Sequence, residues 1–363
     1  MSQHKPRKSP NLLVVVGLMV GLFWLLAQNG ERTAFAEAHL KDGANSPKVG
    51  WIRAGVNTNT AIWGLPSGLQ FALHPAGFTE GQGGPRGLIR IGYPILPDGS
   101  VDLINFIAVE PIVHGRRGLS ELEESSVDRK TGKYFWVGKT EKPTAGAVPL
   151  DPGIIHLLAD GVEELRLTVH LERFENGAHV QLRLSQRTDS PGELRLAVEA
   201  EPDSAPIETC ILTATMGNKA RARLLLLKDG PVSSLQLYPD YRDKDFAPHK
   251  TFGVERLPRM ANGDVMVAIA NDEPWPATVQ PFGRPGFWDY RGSKVTQYWR
   301  KSSREVQPDL SCAVNGRFTY WGSRQPIPGG VAFENFELRE SFRSGQSYIF
   351  GISSRPPEII TSP

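Results

Sequence analysis

Cysteine is nearly absent: Cys210 and Cys312 are the two in 363 residues. No C-x-x-C occurs, and two thiolates do not make a zinc site. Both lie in apolar runs, "ETCILT" and "LSCAVN", which leaves a disulfide and a pair of separately buried thiols equally open. The sequence also lacks G-x-S-x-G, H-E-x-x-H and G-x-x-x-x-G-K-[ST], which excludes the hydrolase elbow, the zinc-protease helix and the nucleotide P-loop. The glycine-rich "EGQGGPRG" (80–87) is followed by no helical pattern that would supply a phosphate-binding N-terminus, so it reads as a turn. Long helices have little room among 37 Gly and 29 Pro, and a short turn around 119–124 is the best helical candidate. Nothing in the sequence calls for a cofactor or a metal.

Basic runs are missing too, outside the first few residues. Lys5, Arg7 and Lys8 precede an uncharged apolar run at 12–27, and Ala34-Phe35-Ala36 follows with small residues where an export peptidase reads. As a helix, that run of 16 residues spans about 24 Å, against a hydrocarbon core of roughly 30 Å. Residues 1–36 are therefore expected to be a signal peptide or a membrane anchor, with 12–27 as the inserted part. Residues 37–48 follow as a linker, 49–355 as one large domain and 356–363 as a tail. The body of the protein is expected outside the cytoplasm, in the periplasm or beyond, touching a membrane only through its N-terminal segment. Without residues 1–36 the chain carries 37 basic and 38 acidic side chains, and a near-neutral surface gives no electrostatic reason to bind nucleic acid.

What is abundant is period-two alternation. In "VEELRLTVHLERF", Leu165, Leu167, Val169 and Leu171 alternate with polar residues. Asn176-Gly177 then offers a hairpin turn that would pair Leu171 with Leu182 and Val169 with Leu184. After "DSPG", Leu194, Leu196 and Val198 alternate again, making three antiparallel strands in a row. Further strands are expected at 51–56, 60–64, 69–74, 88–93, 102–109, 133–138, 207–215, 220–228, 264–270, 294–300, 316–321, 331–339 and 347–353. The fold expected is all-β, a large antiparallel sandwich of two packed sheets.

Four stretches carry candidate chemistry. In "GGVAFENFELRE" (329–340) the parity changes between Phe333 and Phe336, so a β-bulge is expected at Glu334-Asn335. A bulge there would present a carboxylate and an amide together, or merely a solvated glutamate. Between 275 and 321 aromatics crowd, with Trp288, Trp299 and Trp321 among them and Arg300 nearby. Indoles stack on the apolar faces of sugar rings, and they equally fill a core. In "PDYRDKDFAPHK" (239–250), Asp240, Asp243 and Asp245 are interleaved with Arg242 and Lys244 and lack the glycine of a tight calcium loop, while His249 remains a possible acid or base. In "VEPIVHGRRGLSELEES" (109–125), Glu110, His114, Arg116, Arg117 and Glu121 share one loop, suited to binding carboxylate or hydroxyl groups or to pairing among themselves.

The long exported antiparallel chain with Trp-rich late strands resembles the galactose-mutarotase-like supersandwich. The segment "PGGVAFEN" (328–335) is similar to the one that carries the glutamate base in mutarotases, whereas the family's mid-chain His-Pro-aromatic acid motif is absent and "LHPAGF" (73–78) matches it only superficially. The resemblance implies a carbohydrate-binding or carbohydrate-active protein, an epimerase or polysaccharide-lyase-like enzyme, with Glu334 as base. His249 or His114 would then be the acid, and Trp288, Trp299, Arg300, Trp321, Asn335 and Arg116 would hold the saccharide. The alternative is a non-catalytic envelope structural or protein-interaction module whose tryptophans are all core.

Overall fold

The structure is a computed structural model that describes residues 50–78, 85–138, 141, 143–146, 150–215, 222–272, 292–320 and 325–356. Residues 1–36, expected as a signal or anchor, the expected linker at 37–48, Trp288 and Trp321 lie outside the described residues. Among the described residues, nineteen strands form two antiparallel sheets. One sheet has nine strands: β1 (Ile62–Gly64), β2 (Gln70–Leu73), β3 (Leu88–Pro94), β4 (Val101–Val113), β5 (Arg116–Arg117), β11 (Thr209–Thr215), β14 (Lys250–Gly253), β17 (Ser311–Arg317) and β18 (Ala332–Arg339). The other has ten: β6 (Phe135–Val137), β7 (Ile154–Leu157), β8 (Glu163–Leu171), β9 (Val180–Arg187), β10 (Glu193–Ala200), β12 (Ala222–Leu227), β13 (Gly230–Ser233), β15 (Val265–Asn271), β16 (Thr296–Lys301) and β19 (Gln346–Ser353). The first sheet runs β1-β2-β3-β4-β11-β18-β17-β14, with β5 beside β4. The second runs β13-β12-β15-β16-β19-β10-β9-β8-β6, with β7 beside β8. The expected all-β sandwich is what the chain forms.

Alternation explains how the sheets meet. Val109 on β4, Leu212 and Ala214 on β11, Phe336 and Leu338 on β18 and Val314 on β17 join one core. Leu167, Leu184, Leu196 and Phe350 of the other sheet join the same core. Successive side chains of a strand point to opposite faces, so the residues between these face outward. The bulge expected in β18 is present: Val314 pairs with Phe336 but Gly316 with Phe333, giving β18 one extra residue. Asn315 Oδ1 accepts from the Asn335 N–H at 3.0 Å, which satisfies a donor at the irregularity.

Several expectations shift. The hairpin around Asn176-Gly177 pairs Val169 with Leu182 and Leu167 with Leu184, two residues from the expected register. Glu172 has left the ladder to accept from Ser126 N at 2.9 Å and Tyr134 N at 2.7 Å. An even slip keeps every leucine on its face, which is why apolar pairing alone did not detect it. The strand expected at 316–321 lies earlier, at Ser311–Arg317. Residues 51–56 make only isolated bridges, at Ile52 and Ala54. The turn at 119–124 is not helical, and a short helix α1 (Ser234–Leu237) forms instead, capped by Ser233. Cys210 and Cys312 are free, buried thiols facing the core, and burial pushes both well above the ordinary thiol range.

Polar groups tie the sheets together across the apolar core. The Trp299 indole N–H donates to Phe336 O at 2.9 Å, and Asn105 Nδ2 donates to Gln297 Oε1 at 2.7 Å. Lys301 on β16 is fully buried and pairs with the equally buried Glu340 just beyond β18, and Tyr348 OH donates to the same carboxylate at 2.9 Å. Removing one member of a buried pair strands the other charge, whereas replacing both with apolar groups removes the penalty. Lys301→Met is expected to cost about 3–5 kcal/mol in guanidinium unfolding, and Lys301→Met combined with Glu340→Leu to recover most of it. A single-variant loss below about 1 kcal/mol would show that the pair is not a link between the sheets.

Candidate active site

The outward face of the nine-stranded sheet carries the chemistry. Glu110 alternates with core residues on β4, Thr213 on β11 and Glu337 on β18, so all three project to the side away from the sandwich core. The ladders bring them together: Ala214 pairs with Phe336, which sets Thr213 beside Glu337, and Ile211 pairs with Glu110. Thr213 Oγ1 lies 2.8 Å from Glu110 Oε2 and 2.7 Å from Glu337 Oε2. The two carboxylates therefore lean on one hydroxyl, and their oxygens are no further apart than two hydrogen bonds.

Three cationic or basic side chains stand above them. Arg117 donates from Nε to Glu110 Oε2 at 2.7 Å and from NH2 to the same oxygen, with NH2 also 3.7 Å from Glu337 Oε2. Arg339 grips Glu337 Oε1 through Nε at 2.6 Å and through NH2. His249 Nε2 is 3.7 Å from that same Oε1 and has no hydrogen bond. The side chains of Arg117, His249 and Arg339 keep 27–30% of their surface exposed, against 0% for Glu337 and 5% for Glu110. Solvent thus reaches the bases but hardly the acids.

Burial governs the titrations. It pushes Glu110 up to about 7, against the pull of the Arg117 guanidinium and with the Glu337 charge adding to the rise. Burial also raises Glu121, which Arg117 partly offsets, and lowers His249, which favours the neutral imidazole. A carboxyl titrating near neutrality beside a neutral imidazole suits general acid and base work.

Glu334 sits three residues along the same strand, on the same outward side of the bulge. It is 4% exposed, and burial lifts its carboxyl to about 7, with Arg317 opposing. Asn335 is half-buried, and its Oδ1 accepts from Thr215 Oγ1 at 3.0 Å. The loop before the bulge is held by Arg223, whose guanidinium reaches the carbonyls of Pro328, Gly330 and Val331. The "PGGVAFEN" segment thus has a structural job beside any chemical one.

Other expected residues fall elsewhere. His114 is exposed at the tip of the β4–β5 hairpin with φ 49°, a turn residue and not part of the cluster. Arg116 is exposed beside it, and its neighbour Arg117 is the one turned toward the carboxylates. Trp299 is 1% exposed with its indole N–H consumed in the core, so it offers no face to a sugar. Trp51, Trp63 and Trp136 are buried as well; Trp51 and Trp63 join the core, and Trp136 stacks on His170 on the other face of its sheet. Arg300 belongs to the other sheet, donating to Asp264 Oδ2 at 2.8 Å and Glu193 Oε1 at 3.2 Å. No group of metal-ligating side chains occurs among the described residues. No protein-family model matches the chain, and neither a curated protein nor a solved structure matches it.

Glu334 yields a stability test. The folded state holds its proton to about pH 7, whereas an unfolded chain releases it near 4.5, so between those values folding takes up a proton and this residue's contribution to stability falls as pH rises. Glu334→Gln is expected to gain on the wild type by about 3 kcal/mol between pH 4 and pH 8, measured by urea unfolding at both. A difference that stays constant over that range would place the carboxyl in water.

Proposed function

We propose that the chain is an exported carbohydrate-active protein that works on the outward face of its nine-stranded sheet, with Glu110 and Glu337 moving protons on a bound saccharide. The observation that carries this reading is the pair of buried carboxylates on one threonine, beneath two partly exposed arginines and a neutral histidine. Two large antiparallel sheets support the supersandwich reading, and the basic and apolar N-terminal segment supports export.

Both carboxylates approach from the same side of the sheet, which favours one reaction type. Epimerisation through a carbanion requires a proton removed from one face and returned to the other. A syn β-elimination requires base and acid on one face. One carboxylate takes the proton from carbon, that C–H electron pair becomes the new C=C bond, and the C–O bond breaks. The departing oxygen then takes the proton of the other carboxyl. The carbon acid must be activated by a neighbouring carboxyl group, so the substrate is an acidic sugar, and Arg117 and Arg339 offer the charge to neutralise it. A polysaccharide lyase acting by this route is our reading.

The second reading, a non-catalytic envelope module, has one observation in its favour: all described tryptophans are buried. Incubating the full chain with a panel of neutral and acidic polysaccharides separates the two. The new C=C bond absorbs in the ultraviolet. Expected are turnover on an acidic polymer, a fall of about 10²–10⁴-fold in kcat for Glu337→Gln, and little change in Kd. Absence of binding and of product across the panel would leave the module.

A further inference from the structure

We infer that Glu110 and Glu337 hold one proton between them through Thr213 at neutral pH, so that the free site always contains one acid and one base, with Thr213 as the positioning residue. The roles rest on the reading of the site given above, whereas the proton itself follows from hydrogen-bond counting. A threonine hydroxyl has one hydrogen to donate and lone pairs to accept with. Its oxygen is within hydrogen-bond distance of two carboxylate oxygens, at 2.8 and 2.7 Å. If both carboxylates were ionised, one of these contacts would set a lone pair against an anionic oxygen with no hydrogen between them. An added proton removes the conflict: one carboxyl donates to Thr213 Oγ1, and the hydroxyl donates to the other carboxylate.

The geometry also indicates where the proton rests. Glu110 Oε2 already receives two N–H groups from Arg117, and Glu337 Oε1 is taken by Arg339. Glu337 Oε2 has Thr213 as its near neighbour, with Arg117 NH2 at 3.7 Å. The resting chain of bonds therefore runs from Glu337 Oε2 through Thr213 to Glu110, which is itself held by Arg117. Shifting both hydrogens along that chain exchanges acid and base without moving a heavy atom. Two groups this closely linked exchange protons as a pair, and burial lifts the Glu110 carboxyl to about 7.

The groups facing the pair act in both directions. Arg117 from β5, Arg339 from β18 and His249 ahead of β14 surround it. Glu121 in the loop after β5 adds negative charge, and the Cys210 and Cys312 thiols on the core side are neutral. Arg339 lies on the outer oxygen of Glu337, whereas Arg117 holds Glu110 Oε2, the oxygen that faces Thr213, with its NH2 3.5 Å from Thr213 Oγ1 and 3.7 Å from Glu337 Oε2. Burial then decides in favour of retaining the shared proton.

The test needs no saccharide, so its failure is distinguishable from failure of the lyase reading. Full-length protein with ¹³C-labelled glutamate side-chain carboxyls is titrated by NMR from pH 4 to pH 9. Two carboxyl transitions are expected near neutrality, one abolished by Glu334→Gln and the other by either Glu110→Gln or Glu337→Gln. Thr213→Val is expected to move that second transition by about one pH unit or more, and Thr213→Ser to restore it. The inference is overturned if the wild type has no transition near neutrality besides that of Glu334. It is equally overturned if Glu110→Gln removes that transition while Glu337→Gln leaves it in place. The wild-type titration decides the first point even where a variant does not fold.

Discussion

One extra residue in β18 decides what each face of the nine-stranded sheet is for. Phe333 and Phe336 both belong to the core although three positions apart, which a regular strand does not allow. The bulge between them absorbs the mismatch and turns Glu334, Asn335 and then Glu337 outward. Without it, either Phe333 or the run Phe336–Leu338 would leave the core, and the carboxylate of Glu337 would enter it. The same residue count therefore sets the apolar seal on one side and the acid-lined surface on the other.

The charged groups on that surface are arranged at a cost that a purely structural network avoids. Glu110, Glu334 and Glu337 are nearly or wholly withdrawn from water, and desolvation works against each ionised form. Arg117 and Arg339 offset part of that penalty from positions that remain open to solvent. The Lys301–Glu340 pair at the edge of the core shows the contrasting design, in which both partners are sealed and the pair links two elements. Carboxylates that are buried while their partners stay exposed mark the outward face as the place where a ligand would meet ready-made acid and base groups.

The architecture was legible because alternation survives in most strands, and the bulge was legible because two phenylalanines changed parity. Register was not: sliding β8 against β9 by two residues leaves every leucine facing inward. The failure at Trp299 has a related cause. Gln297 and Lys301 share its inward parity on β16, so polar neighbours hid a core-facing row, and a tryptophan beside Arg300 looked exposed. Glu110, Arg117, Glu121 and His249 stood out by residue type, yet nothing local showed that loops more than a hundred residues apart converge. Thr213 sat unnoticed in the strand "TCILTAT". Glu337 is less conspicuous in the sequence than Glu334 at the parity break, although its place between Phe336 and Leu338 puts it on the outward face.

The central claim is that ligand is received on this outward face, over Thr213 and between Arg117 and Arg339. Hydrogen-exchange mass spectrometry of the full chain, with and without each acidic polysaccharide of the panel, addresses it most directly. Slowed exchange is expected in peptides spanning 110–125, 209–215, 246–253 and 332–340, with the ten-stranded sheet unchanged. Protection confined to the ten-stranded sheet around Arg300, or no protection anywhere at saturating ligand, would contradict it.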